Sequence, residues 1–272
     1  MTVLVTGATG NVGSEVVRAL VALGVEVRAL VRSPTPLDVP QVVGDLNDPA
    51  SLSFFGVESL FLLPGYRDMP GILAKAVDAG VRRVVLLSSP AVTASDTANA
   101  VSRYMIRSEE AVFASGLEWT VLRPNGFMSN TLRWLPQLAA GNVVRDAFGG
   151  VPVAMINPYD IGEVAARALT SDFAGQVLAL SGPEKLLPGD RVRVLGEVLG
   201  RNLSFVALPD EVARAEMSAA MPAEYVHAFF SFYSDGTLDE SRVHPTVQDV
   251  TGRPPRDFGT WARAHAAEFA TA

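Results

Sequence analysis

With 272 residues, 49% of them hydrophobic and only 19% charged, the chain has enough apolar material for a full core and too little charge for long disorder. Its net charge of −7 gives no support for general nucleic-acid or anionic-membrane binding. Cysteine is absent, which removes disulfides, thiolate nucleophiles and cysteine–zinc sites, and His227, His244 and His265 are scattered without ligand spacing, so no metal site is expected.

Met1 runs directly into a strand without a basic leader, and no uncharged apolar run approaches the ~18 residues that cross a bilayer. A soluble, cytoplasmic protein is expected, with no membrane partner. Val3–Val5 is a short strand, followed by Gly7, Gly10 and Gly13 and then by a helical run, Val16, Val17, Leu20 and Leu23. Strand, glycine turn and helix in this order make a dinucleotide pyrophosphate site. The first glycine permits the sharp turn, the second lets bare backbone approach phosphate, and the third lets helix and sheet pack closely. The N–H groups and positive dipole end of the helix then face the anion.

Val25–Val31 reads as a second strand with Arg32 at its carboxyl end, nineteen residues past Gly13. An acid there would bind the ribose hydroxyls of NAD; an arginine suits the 2′-phosphate of NADP, and no acid occurs between Val27 and Leu37. Gln41–Val43 forms a third strand ending at Gly44-Asp45, and Asp48-Pro49 opens a helix. Leu60–Leu63 is the fourth strand, a helix covers Gly71–Gly80, and Val84–Leu87 is a fifth strand ending in Ser88-Ser89. A long helix spans Ala98–Ser115 before Gly116, and Trp119–Leu122 is the sixth strand, stopped at Arg123-Pro124.

This alternation predicts an α/β doubly wound parallel sheet with ligands at the carboxyl ends of its strands. Gly7, Arg32, Asp45, Pro64, Ser89 and Asn125 are thereby gathered on one rim. Further on, Phe127–Ala140 is expected as a helix and Asn142–Asn157 as strands or loop. Asp160 with Glu163 reads as a capping box launching Val164–Leu169, and Val177–Leu180 as a seventh strand. Asp190–Leu199, Pro209–Met217 and Ala223–Tyr233 are helical around a strand at Leu203–Leu208. The expected division is a cofactor domain of residues 1–125 with 154–182 and a smaller substrate lobe of 126–153 with 183–272.

The pieces VTGATGNVG at 5–13, VRALVR at 27–32, GDLNDPASL at 44–52, SGLEWTVLRPNGFMSN at 115–130 and YDIGEVAARAL at 159–169 resemble the NmrA-like branch of the atypical short-chain dehydrogenases/reductases. The resemblance implies an NADP(H)-binding Rossmann fold with a smaller carboxyl-terminal lobe. By position, Thr6, Gly7, Thr9, Gly10, Asn11 and Val12 would line the phosphates and Arg32 the 2′-phosphate. Asp45 and Leu46 would line the adenine, Leu63, Pro64 and Gly65 the ribose, and Ser88 and Ser89 the nicotinamide.

Typical active members of the wider group carry a serine and then Tyr-x-x-x-Lys. Here Ser89 and Tyr104 are present but Ser108 stands at the lysine position, with Arg107 on the face of Tyr104. Ser89, Tyr104 and Arg107 are the catalytic candidates. Hydride transfer onto an electron-poor ring needs an apolar aromatic pocket more than a general acid. Asn125, Phe127, Met128, Trp134, Met155, Tyr159 and Phe230 are the pocket candidates. Phe229, Phe230, Phe232 and Tyr233 are too close together to share one helix face, so at least one should look toward a cleft or a partner. The expected activity is NADPH-dependent reduction of a quinone or other planar carbonyl compound, by a monomer or homodimer. A non-catalytic NADP(H) sensor and a tailoring enzyme for aromatic natural products are the alternatives.

Overall fold

Residues 1–270 are described by the computed structural model. Seven strands form one wholly parallel sheet: β1 (Thr2–Val5), β2 (Glu26–Val31), β3 (Gln41–Val43), β4 (Ser59–Leu62), β5 (Arg83–Leu87), β6 (Glu118–Pro124) and β8 (Gln176–Leu180). A separate two-stranded parallel ribbon pairs β7 (Val143–Asp146) with β9 (Ser204–Ala207). The order in the large sheet is β3-β2-β1-β4-β5-β6-β8, so the winding reverses between β1 and β4. In open parallel sheets that reversal opens the ligand crevice.

Side-chain alternation along the strands divides the core in two. Val3 and Val5 point to one face, where Val16 and Leu20 of α1 (Gly13–Ala22) and Ile161, Val164 and Leu169 of α5 (Pro158–Thr170) cover them. Leu4 points to the other, which is covered by Ile72, Leu73 and Ala76 of α2 (Met69–Asp78) and Val112 of α3 (Ala100–Phe113). The predicted strands of this region are all present, as are the helices α1, α2 and α3, with ends shifted by a residue or two.

Four differences remain. The helix expected at Phe127–Ala140 is a 3-10 stretch, Met128–Trp134, followed by α4 (Leu135–Ala140); Pro136 lies in the first turn of α4, where its missing N–H does no harm. The Asp160–Glu163 capping box does not form. Asn157 caps α5 through Tyr159 N–H, while Asp160 is buried and ion-paired with Arg256, and Glu163 pairs with Arg18 and Arg253. The helix around Asp48-Pro49 is a single 3-10 turn, Pro49–Ser51, capped by Asp48.

The last difference is in the carboxyl-terminal part. Besides α6 (Pro188–Leu199), α7 (Asp210–Ala220) and α8 (Ala223–Tyr233), it holds three short helices with no strong sequence signal: α9 (Thr246–Thr251), α10 (Phe258–Ala264) and α11 (Ala266–Ala270). Trp261 and Phe258 of α10 pack with Trp134, Leu138 and Leu195 in a further core, whereas Val247 of α9 joins the core of α1 and α5. Among the described residues no helix is long and apolar enough to cross a membrane.

Candidate active site

The turn after β1 is built for an approaching phosphate. Gly7 takes a left-handed φ of +62°, and a Cβ on it would meet Leu63 Cδ1 at 2.5 Å. A Cβ on Gly13 would fall 2.0 Å from the Gly7 carbonyl oxygen, so only glycine lets α1 start this close to the strand. Gly10 N–H donates to Gly7 O at 2.9 Å and closes the turn. Val12 stands at the N-cap of α1 and no side chain caps that end, which leaves it to an external anion. Buried Thr6 ties the loop to its neighbour, accepting the Leu63 N–H on Oγ1 at 3.0 Å. Asn11 is exposed at the tip of the turn.

Three cavities follow the carboxyl rim of the sheet. The first, about 500 Å³, is lined by Gly7, Thr9, Arg32, Asp45, Leu46 and Tyr66, with Ser33 and Thr35 beside Arg32. Asp45 Oδ1 is held by the N–H of Asn47 at 2.8 Å. A second cavity of about 310 Å³ is bounded by Pro64, Ser88, Ser89, Asn125, Phe127 and Glu240. The third, about 420 Å³, shares Gly126 and Asn130 with the second, and so continues the same cleft. Phe148, Met155, Met217, Met221, Phe229 and Tyr233 give it an apolar aromatic wall, and Ser129, Arg133, Asp146 and Arg191 a polar one. The glycine cradle and the first cavity together fit a dinucleotide.

The rim residues expected from sequence therefore come together. Pro64 and Ser89 meet at the second cavity; Leu63 lies against Gly7, and Gly65 N–H is held at 2.9 Å by Ser108 Oγ, which itself donates to Tyr104 O. The residue at the expected lysine position thus fastens the loop after β4. Ser89 Oγ caps a 3-10 turn through Ala91 N–H, and Ser88 donates to buried Glu109, which Arg123 holds through two hydrogen bonds.

Tyr104 packs its ring against Gly65, and burial raises its phenol above the usual range. Arg107 is exposed on α3. Neither lines any of the three cavities.

Of the pocket candidates, Asn125, Phe127 and Met155 line the cleft. Asn125 spends its Nδ2 on backbone, donating to Glu240 O at 2.9 Å. Met128 and Trp134 are core residues, and Trp134 Nε1–H donates to Asp146. Tyr159 lies outside the cleft, its ring sandwiched between the guanidinium groups of Arg18 and Arg256, 3.6 and 3.4 Å from its centroid. Phe230 is buried under Phe148 and Arg214. The crowded aromatics of α8 do separate as the helix period requires. Phe230 and Phe232 enter different cores, while Phe229 and Tyr233, one turn apart and nearly parallel, face the cavity.

Sequence reasoning missed Glu240, Arg133 and Arg191. Glu240 is buried where the second and third cavities meet, accepting Tyr233 O–H at 2.7 Å and Gly126 N–H at 2.9 Å. Burial raises its carboxyl above the usual range, and burial beside Glu240 raises the Tyr233 phenol well above its own. Arg191 is 5% exposed, and burial pulls its guanidinium down to about 10. Its signal was present: Pro188, Arg191, Val192, Leu195 and Gly196 form the buried stripe of α6, with an arginine at one of five inward positions.

Fold, loop and cleft define the class as an NAD(P)H-dependent oxidoreductase on a Rossmann sheet, and comparison with known proteins agrees. The chain belongs to the NAD(P)H-binding family, NmrA-like in its motifs, whose family model matches residues 7–172. It is 40% identical to a (4-alkanoyl-5-oxo-2,5-dihydrofuran-3-yl)methyl phosphate reductase of Streptomyces griseus subsp. griseus, over 98% of this chain and 99% of that one. It is 32% identical to an NAD(P)H azoreductase of Xenophilus azovorans, over 99% and 100%. An NADPH-dependent quinone oxidoreductase of Escherichia coli, solved with NADPH, shares the fold: TM-score 0.80, 22% identity, 97% of this chain and 99% of that one covered.

Proposed function

We propose that this protein transfers hydride from NADPH to a planar, electron-poor conjugated acceptor, either a quinone or an unsaturated carbonyl compound. The observation that carries the reading is the continuity of the cleft. The cavity at Ser88, Ser89 and Asn125, where the resemblance puts the nicotinamide, opens through Gly126 and Asn130 into the aromatic cavity. A space of about 420 Å³ is within the size range of small-molecule sites. The two full-length relatives support the same class, one being named for a conjugated furanone ester and the other for azo compounds.

Bound NADPH supplies the hydride, and Thr6–Val12, Arg32, Asp45 and Pro64 are the residues that would hold it. The reduced acceptor also takes up a proton, and the chain offers a donor for it. Tyr233 stands at the aromatic cavity with its O–H on Glu240. When Glu240 is protonated, as burial favours, the bond reverses. Its carboxyl then donates to the phenol oxygen, and the Tyr233 proton turns into the cavity to meet the oxygen anion left by hydride addition. Glu240 later regains its proton from solvent. Catalysis therefore does not need Tyr104 or a lysine at position 108.

NADPH oxidation followed across a panel of quinones and acylated dihydrofuranones tests this reading. Turnover of one acceptor class is expected, and Tyr233→Phe should lower its kcat by ~10²-fold or more while cofactor affinity stays as it was. Tight NADPH binding without turnover of any acceptor would overturn the enzyme reading in favour of a sensor; full activity in Tyr233→Phe would remove the proton relay.

A further inference from the structure

The polar wall of the aromatic cavity contains two donors with nothing to bind. Arg191, on the inner face of α6, has no carboxylate within ion-pairing distance and no side-chain hydrogen bond among the described residues; its buried Nε is unpartnered. Its guanidinium carbon lies 5.1 Å from the centre of the Trp134 ring, and the Asp146 carboxylate attracts it only from beyond ion-pairing distance. Ser129, 5% exposed on the 3-10 stretch after β6, has an unpartnered hydroxyl as well. Arg133 reaches the same cavity one turn further on.

The single carboxylate of the lining cannot neutralise this wall. Asp146 Oδ2 accepts from both Arg133 and Trp134 Nε1–H, and its Oδ1 accepts from Ala147 N–H. Two guanidinium groups against one fully occupied carboxylate leave a net positive charge, and the uncompensated member is the buried one. A buried charge without a partner is among the costliest features a fold can carry. One that borders a cavity is accounted for when the partner arrives with the ligand.

We infer that this wall is a subsite for an anionic arm of the substrate, a phosphate monoester held by Arg191, Arg133 and the Ser129 hydroxyl. A tetrahedral oxyanion presents three terminal oxygens to three donor groups from two elements, Ser129 and Arg133 on the 3-10 stretch and Arg191 on α6, and guanidinium is well matched to such an anion. A carboxylate would leave one donor unmatched. The cofactor's own phosphates are elsewhere, since the cavity at Gly7, Thr9 and Arg32 shares no residue with this one. The inference rests on the proposed function in one respect: it assigns the arm to the molecule that is reduced.

Two measurements keep the two readings apart. The first uses binding alone. NADPH-saturated protein is titrated with phenyl phosphate, with benzoate and with phenol, and the shift in Tm is read. Phenyl phosphate should raise the Tm of the natural chain, benzoate less, and phenol little. Arg191→Met should lose that response while melting at an equal or higher temperature in the ligand's absence, because it removes an unpaired buried charge at similar volume. The second measurement uses turnover of a (4-alkanoyl-5-oxo-2,5-dihydrofuran-3-yl)methyl phosphate and of the corresponding free alcohol.

In the turnover measurement the natural chain should favour the ester by ~10²-fold in kcat/KM. Arg191→Gln should bring that ratio below about 10, mainly through the KM of the ester, with Arg133→Gln intermediate. Phenyl phosphate binding without turnover of either compound would sink the oxidoreductase reading and keep the anion site. Equal use of ester and alcohol by the natural chain, an equal response to phosphate and phenol, or a collapse of Arg191→Met to a lower Tm would each overturn the anion site.

Discussion

Arg32 is the residue we propose as the one that decides between the two nicotinamide dinucleotides. It stands exposed at the end of β2, at the mouth of the first cavity, with Ser33 and Thr35 beside it and no internal ion pair among the described residues. A 2′-phosphate there gains a guanidinium that is bound to nothing else. Arg32→Glu should weaken NADPH at least ~10-fold more than NADH in a binding titration, since a charge-assisted hydrogen bond is replaced by repulsion. Equal weakening of the two would mean that the 2′-phosphate lies elsewhere. Arg191 makes a related point. Both arginines lack an internal acid, but the exposed one keeps its hydration and the buried one does not, so a ligand is owed chiefly to Arg191.

At the scale of elements, the position of the phosphate loop depends on how closely α1 lies against α5. Gly162 of α5 makes that approach possible: a Cβ there would come within 2.6 Å of the Glu15 carbonyl carbon and 2.7 Å of its oxygen. Backbone cannot rotate out of the way as a side chain can. Gly162→Ala should therefore destabilise by ~1–3 kcal/mol despite alanine's better helix propensity, and should weaken NADPH binding by displacing the start of α1. Melting and cofactor titration of that variant check it; an unchanged Tm would show that the two helices can separate without loss. The sequence displays the YDIGEVAARAL stretch plainly, but its Asp160 and Glu163 look like local capping chemistry. Only the packed structure gives them long-range arginine partners, Arg18, Arg253 and Arg256.

At the scale of the whole molecule, the cleft is closed by the chain between α8 and α9. Asn125 and Ala154 both donate to Glu240 O, and His244 N–H donates to Ser181 Oγ at 2.8 Å, so this segment fastens the ends of β6 and β8 to the aromatic helix. Burial, with Arg242 nearby, lowers the His244 imidazole below its usual 6.5. Below that pH the unfolded chain takes up a proton that the folded chain resists, so stability falls as pH falls through the interval between the usual and the lowered value. Tm followed from pH 7.5 to 5 should decline, and His244→Asn should decline less steeply. Identical slopes would mean that His244 is protonated as readily in the folded chain as in the unfolded one.

The sheet, its parallel winding and the dinucleotide loop were legible because their signals are local. Gly7, Gly10 and Gly13 act within one turn, Arg32 sits at the end of its own strand, and buried parallel strands such as Val84–Leu87 appear as short apolar runs. The chemistry of the acceptor end was barely legible: the helix period marks Arg191 as inward-facing, but no local signal says what it faces. Tyr104 satisfied a catalytic pattern but turns its ring onto Gly65, and Tyr233, marked in the sequence only as one of four crowded aromatics, meets Glu240 at the cleft. Trp134 and Phe230, large and apolar, went to the core, where burial gains most. By itself the sequence determined the parallel sheet, its winding and the glycine loop at its rim. Tertiary packing alone decided which carboxyl, phenol and guanidinium line the cleft, since Gly126, Arg191, Tyr233 and Glu240 are brought to it by distant elements.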